Sequence, residues 1–182
     1  MTTKSLTINP ASTDTDLEDV RRLCDGLLSW ARERYVNEIW MLNRYYPEDD
    51  WEKTLADLPT VHALPRGGIW LARLDGRAAG TVMLKPLGDT GICEMKRLIV
   101  DEAARGQGVG RALCKRVIDE AIDRGYTTMR FDTGAFHDEA IGLYRSMGFE
   151  FRDAYYDVAP DMLSLLKFLE GDLAEIASWR RS

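Results

Sequence analysis

The residues best suited to chemistry lie at Arg105-Gly106-Gln107-Gly108-Val109-Gly110. Apolar residues recur just after them at 109, 113, 117, 118, 121 and 122, which is helical spacing. The glycines therefore form a turn that opens a helix. The first amides of a helix lack intrahelical partners and sit at the positive end of its dipole, so they bind anions. Glycine lets a large anion approach the backbone, and the Arg105 guanidinium can pair with phosphate. The stretch predicts a pyrophosphate cradle. A P-loop fits poorly, because Gly110 is followed by Arg111-Ala112 rather than Lys-Ser/Thr. A dinucleotide fingerprint also fits poorly: the spacing is G-x-G-x-G, and Asp132 matches the expected ribose-binding acid only loosely.

Other side chains invite chemistry. Glu94 interrupts the apolar run from Ile92 to Val100. A carboxylate there is costly to bury unpaired, and burial raises its pKa toward that of a general base; the competing role is an ion pair with Lys96 or Arg97. His137 can accept a proton near neutrality, or stand in solvent at a helix start. Arg111 can reach a phosphate or lie on a solvated face. Cys114 could carry an acyl group, but its place early in the helix fits core packing better.

Composition narrows the classes. A net charge of −6 lacks the basic footprint of a nucleic-acid binder and suits cationic partners such as amines. The three cysteines (Cys24, Cys93, Cys114) form no C-x-x-C, and with only His62 and His137 no metal site is expected. Residues 1–10 hold no apolar leader, and no run approaches the roughly 18 apolar residues of a membrane span, so the expectation is cytoplasmic and away from membranes. At 182 residues the chain is expected to form one domain over 1–182.

These residues need a scaffold. Leu6-Thr7-Ile8 reads as a short strand. Apolar spacing then predicts a helix to about Arg34, capped by Thr15 or Asp16. An irregular aromatic stretch follows, then a helix from Trp51 to Leu58 stopped by Pro59. Ile69–Leu74 and Ala79–Leu84 flank Asp75-Gly76, a hairpin signal. Gly88–Gly91 turns the chain into the strand 92–100. The helix after the glycine loop ends near Gly125, and Thr127–Thr133 returns parallel to strand 92–100. Further expectations are a helix from His137 or Asp138 to Gly148, a strand from Phe149 to Val158, and a strand from Met162 to Leu169 broken by Gly171-Asp172. A tail helix from Leu173 to Arg181 closes the chain, the tail being 171–182. The fold class is therefore α/β (α+β): a mixed, mostly antiparallel sheet of about six to seven strands with one parallel pair, flanked by about four to five helices.

Three segments carry a resemblance. Arg105-x-x-Gly108-x-Gly110 resembles the R/Q-x-x-G-x-G/A signature of the GNAT acetyltransferase superfamily. Glu94 to Val100 is similar to that family's fourth strand. Ala140-Ile141-Gly142-Leu143-Tyr144-Arg145-Ser146-Met147-Gly148-Phe149 is similar to its A-x-x-L-Y-x-x-x-G-F helix and exit turn. The resemblance is strongest over 68–158.

It implies that the parallel strands splay apart, and that 105–111 hold the pyrophosphate of acetyl-CoA while Leu98, Ile99 and Val100 pair with its pantetheine arm. It implies that Tyr144 faces the cofactor sulfur as general acid and that Glu94 is the base, directly or through water. His137 stands where the family usually has a cofactor-binding Asn. The aromatic stretch, with Trp40 and Tyr45, would line the acceptor site, helped by Trp70. Homodimers are frequent in the family. The implied activity is acetyl transfer to a small-molecule or peptide amine by direct attack in a ternary complex. A non-catalytic acyl-CoA sensor and a nucleotide-binding interaction domain are the other readings.

Overall fold

A computed structural model describes residues 5–88 and 91–179. Seven strands form one sheet: β1 (Leu6–Pro10), β2 (Gly68–Leu74), β3 (Arg77–Pro86), β4 (Ile92–Val100), β5 (Thr128–Gly134), β6 (Glu150–Arg152) and β7 (Leu166–Asp172). Their order is β1-β2-β3-β4-β5-β7-β6, and only β4 and β5 run parallel. Six helices accompany them: α1 (Asp14–Arg34), α2 (Ile39–Tyr45), α3 (Glu48–Val61), α4 (Val109–Asp123), α5 (Asp138–Ser146) and α6 (Leu173–Trp179). The mixed sheet with a single parallel pair is the predicted fold class. Among the described residues no helix is long and apolar enough to cross a membrane.

Two apolar layers hold the helices to the sheet. On one face Val20, Leu23, Leu55 and Leu58 of α1 and α3 pack on Ile69, Leu71, Met83 and Ile99. On the other, Leu113, Val117, Ile118 and Ala121 of α4 pack on Val82, Leu84, Met95 and Met129. Strand alternation supplies both faces, because successive side chains point to opposite sides. The β2–β3 hairpin turns at Asp75 and Gly76, whose φ angles of 51° and 80° match a two-residue turn with both central residues left-handed.

Local expectations are corrected at several points. Thr13, not Thr15 or Asp16, caps α1; Asp16 instead closes the capping box and binds Arg73 at 2.9 Å. Pro59 lies inside α3, because the Leu55 carbonyl that a proline cannot bond takes Arg21 Nε at 3.3 Å. The strand expected from Phe149 to Val158 is only Glu150–Arg152; beyond it Tyr155 and Tyr156 turn onto Phe168, with ring centroids 5.7 and 5.3 Å away. Gly171 lies within β7 rather than breaking it. A Cβ there would lie 2.6 Å from Ile176 and 2.7 Å from Phe149, so close packing requires the glycine. Arg180 and Arg181 of the expected tail helix lie outside the described residues, as do Asp89 and Thr90 of the expected turn.

The decisive irregularity is in β4. It pairs with β5 only from Ile92 to Glu94, against Thr128 to Arg130. Beyond that both strands continue, but β4 keeps pairing only with β3 and β5 only with β7. On the β3 side the register shifts opposite Thr81 to Met83, and Arg97 sits there with φ 49°. A bulge adds twist and bends its strand, so the sheet opens between the parallel strands.

Acid sensitivity follows from two imidazoles. Burial pushes His62 and His137 down from 6.5 to about 4. Between those values the unfolded chain binds more protons, so stability is complete above pH 6.5 and is lost as pH falls toward 4, by roughly 3 kcal/mol for each group. Urea denaturation from pH 7 to 5 should show this loss, and His62→Gln should about halve its slope. A pH-independent midpoint across that range would contradict the assignment.

Candidate active site

A cleft of about 750 Å³ lies between α1, the end of β4, residues 101–111 and α5. Gly106 and Gly108 line it with φ of 71° and 80°, values that favour glycine. A Cβ at either would meet nothing within 4 Å, so backbone shape and not crowding by the protein demands them. Gly108 caps α4 without a side-chain hydrogen bond, and Ala112 N donates to Gly108 O at 3.0 Å as the first closed turn. The amides of Val109, Gly110 and Arg111 thus precede the intrahelical ladder at the cleft wall.

Arg22, Arg34, Arg105 and Arg111 line the same cleft, together with Asp101, Glu102 and Glu139; Arg22 pairs with Asp19 at 2.9 Å and Arg34 with Glu139 at 3.5 Å. The guanidinium carbons of Arg105 and Arg34 lie 5.3 and 5.4 Å from the Trp30 ring, a stacking that stiffens both arms. Arg111 donates to Ser146 Oγ at 2.9 Å. Gln107 turns away instead, its side-chain amide donating to the Ala103 carbonyl at 2.8 Å. Leu98, Ile99 and Val100 form the strand wall, and their backbone edge on the β5 side has no sheet partner.

A second cavity, of about 150 Å³, opens where β4 and β5 part. Leu27, Leu98, His137 and Ala140 line both spaces, so the two meet there. Tyr144 lines the small cavity from α5, with its ring 4.5 Å from Phe131. Burial pushes its phenol well above the ordinary value. His137 Nδ1 lies 3.2 Å from Thr133 Oγ1, while Nε2 is buried without a partner. In the tautomer that donates from Nδ1 to Thr133, Nε2 presents a lone pair.

The floor is a buried charge network. Lys96 Nζ lies 2.7 Å from Asp132 Oδ1 and 3.5 Å from Glu94 Oε1, and Lys85 Nζ lies 2.9 Å from Glu94 Oε2. Tyr155 donates to Glu94 at 2.5 Å and Tyr45 to Asp132 at 2.6 Å. Two cations thus balance two carboxylates whose side chains are 4 and 5% exposed.

The expectation that burial raises Glu94 is corrected. Desolvation pushes its carboxyl up, but Lys96, Tyr155 and Lys85 together hold it below the usual value. Glu94 also lines neither cavity. Of the aromatic candidates, Tyr45 reaches the small cavity; Trp40 is 42% exposed outside it, and Trp70 lies in the core, 5.3 Å from the Arg124 guanidinium carbon. Cys114 is core, fully buried among α4 residues. The sequence reading missed the Lys96–Asp132–Tyr45 linkage. Alternation does place Glu94 and Lys96 on one face, but nothing along the chain pairs Lys96 with a residue of β5.

A mixed sheet parted at its one parallel pair, with a glycine-capped helix start beside the gap, is an acetyltransferase architecture. It matches the structure of the PaiA N-acetyltransferase from Thermoplasma acidophilum in complex with coenzyme A, with TM-score 0.67 and 17% identity over 92% of this chain and 99% of that one. The chain belongs to the Acetyltransferase (GNAT) family, whose sequence profile matches residues 24–149. It is 32% identical over 157 residues to an uncharacterized N-acetyltransferase of Schizosaccharomyces pombe, covering 86% of this chain and 90% of that protein. It is 34% identical over 146 residues to the IAA acetyltransferase of Azospirillum brasilense, covering 78% and 92%.

The network should be costly to unbalance. Lys96→Met leaves Asp132 without its cation, and breaking a buried pair costs about 3–5 kcal/mol. Chemical denaturation should show a loss of that order, and a loss under about 1 kcal/mol would mean that the pair is well hydrated.

Proposed function

We propose that the chain is an acetyl-CoA-dependent N-acetyltransferase that acylates a primary amine by direct attack while both substrates are bound. The observation that carries this reading is the meeting of two cavities at Leu98, His137 and Ala140, with unpaired amides and arginines in one and Tyr144 in the other.

The residues present fit the cofactor. Open space over Gly106 and Gly108, the amides of Val109 to Arg111 and the guanidinium groups of Arg105 and Arg111 suit a diphosphate. The unpartnered edge of Leu98, Ile99 and Val100 offers backbone groups to an extended amide-bearing arm. When bound, acetyl-CoA supplies the activated acyl carbon.

The chain's own residues then divide the proton work. Only a neutral amine is nucleophilic, so a proton must leave it. His137 Nε2, neutral above about pH 4 and lying where the cavities join, accepts a hydrogen bond from the amine or from a water that carries the proton to solvent. Tyr144 stays protonated at any physiological pH and donates a hydrogen bond to the departing sulfur, whose thiol titrates near about 8.5. Glu94 acts indirectly here: it keeps Lys96 in place beside Asp132 and so shapes the cavity floor.

Thiol release with an amine panel tests the activity. Tyr144→Phe should lower kcat about a hundredfold and leave acetyl-CoA affinity within about twofold by calorimetry, since only the hydroxyl is lost. Equal kcat values would remove Tyr144 from the acid role. Gly108→Trp should abolish acetyl-CoA binding, because its side chain enters the cleft at a left-handed position. Binding as tight as wild type would remove the cradle.

A further inference from the structure

Arg97 is the one cavity residue whose charge the structure leaves unanswered. Its side chain makes no hydrogen bond or ion pair with a described residue, and its Nε is shut off from solvent. Every other charged group lining the small cavity is matched: Lys96 and Asp132 bind each other, and burial keeps His137 neutral above about pH 4. The cavity thus carries one surplus positive charge. Arg97 is half-buried, with its Nε closed to solvent and unpartnered, and the planar fork of a guanidinium fits a carboxylate in two-point contact.

The backbone at this position is specialised. Lys96 and Arg97 both line the cavity, although a regular strand would aim consecutive side chains to opposite faces. The β4 bulge falls at this position, and Arg97 takes φ 49° in it. That conformation is uncommon for a residue other than glycine and clusters at functional sites. The strand therefore bends in a way that places a cation in the wall of the cavity that Tyr144 and His137 also line.

We infer that Arg97 binds the carboxylate of the acceptor, so that the acetylated amine belongs to a free amino acid or a close analogue carrying both groups. This rests on the acetyltransferase reading and names the substrate class of the same site. The size allows it: about 150 Å³ is the share of roughly five water molecules, room for one small group. The walls agree as well. Leu27, Met41, Leu42, Tyr46 and Trp51 are apolar or aromatic, so an apolar side chain can be buried while the two charged ends meet Arg97 and the reaction centre.

The test compares matched acceptors with the full chain and acetyl-CoA, following thiol release. Leucine and phenylalanine are each set against the amide and the decarboxylated amine of the same side chain. The wild type should favour the free acids by about tenfold or more in kcat/KM. Arg97→Gln should lower kcat/KM for the acids about ten- to a hundredfold, the range for a lost hydrogen bond to a charged group. It should leave the decarboxylated amines within about twofold, and Arg97→Lys should recover part of the loss. Equal use of acids and decarboxylated amines by the wild type overturns the inference while leaving the acetyltransferase reading intact; that comparison needs no variant to fold. An equal loss on both acceptor classes in Arg97→Gln overturns it too. Failure of the wild type to bind acetyl-CoA by calorimetry, with no turnover of any amine, overturns the parent reading and this inference together.

Discussion

The structure depends on one break in a hydrogen-bond ladder. β4 and β5 share only the rungs from Ile92 to Glu94, and past that point each strand keeps a partner on its outer side alone. A sheet that stayed closed would bury the edges of Leu98 to Val100 against β5, and neither cavity would exist. Backbone groups in a buried edge must find partners, so an open seam in the middle of a sheet presents a row of donors and acceptors to the cleft. The bulge at Arg97 provides the bend, and the separate pairings of β4 with β3 and β5 with β7 keep the seam from collapsing.

The charge network beneath the seam has a different effect. Lys85, Glu94, Lys96 and Asp132 alternate in sign across three strands, with the hydroxyls of Tyr45 and Tyr155 bound to the carboxylates. Such a network contributes little net stability over apolar packing, but it ties α2 and the 153–158 segment to the sheet by oriented bonds. It also keeps the Glu94 carboxyl charged, because Lys96, Tyr155 and Lys85 together outweigh the desolvation that would raise it. At the junction of the two cavities, by contrast, His137 is neutral above about pH 4 and its Nε2 has no partner among the described residues.

Much of the fold was legible along the chain because its signals are local. Apolar spacing marked α1 and α4, Asp75-Gly76 marked the hairpin, and Gly106, Gly108 and Tyr144 stood in recognisable runs. The misplacements were also local in origin. Pro59 reads as a helix stop, yet Arg21 supplies the missing bond from another helix. Gly171 reads as a breaker, yet Phe149 and Ile176 occupy the space where its side chain would be. Trp40 and Trp70 read as site aromatics, yet one faces solvent and the other the α4 layer.

What the order of residues decides here is the turn that opens α4: two left-handed glycines lead into a helix start whose first amides, those of Val109 to Arg111, have no intrahelical partner whatever surrounds them. What only the folded chain decides is which side chains share a cavity and which charges are answered. Lys96 meets Asp132 across 36 positions of sequence, Tyr155 reaches Glu94 across 61, and Arg97 is left unmatched by the same packing. Contacts of that range are set by strand order and by where the sheet parts, and Coulomb energies in a low-dielectric interior depend on distances of a few ångströms that no spacing along the chain encodes.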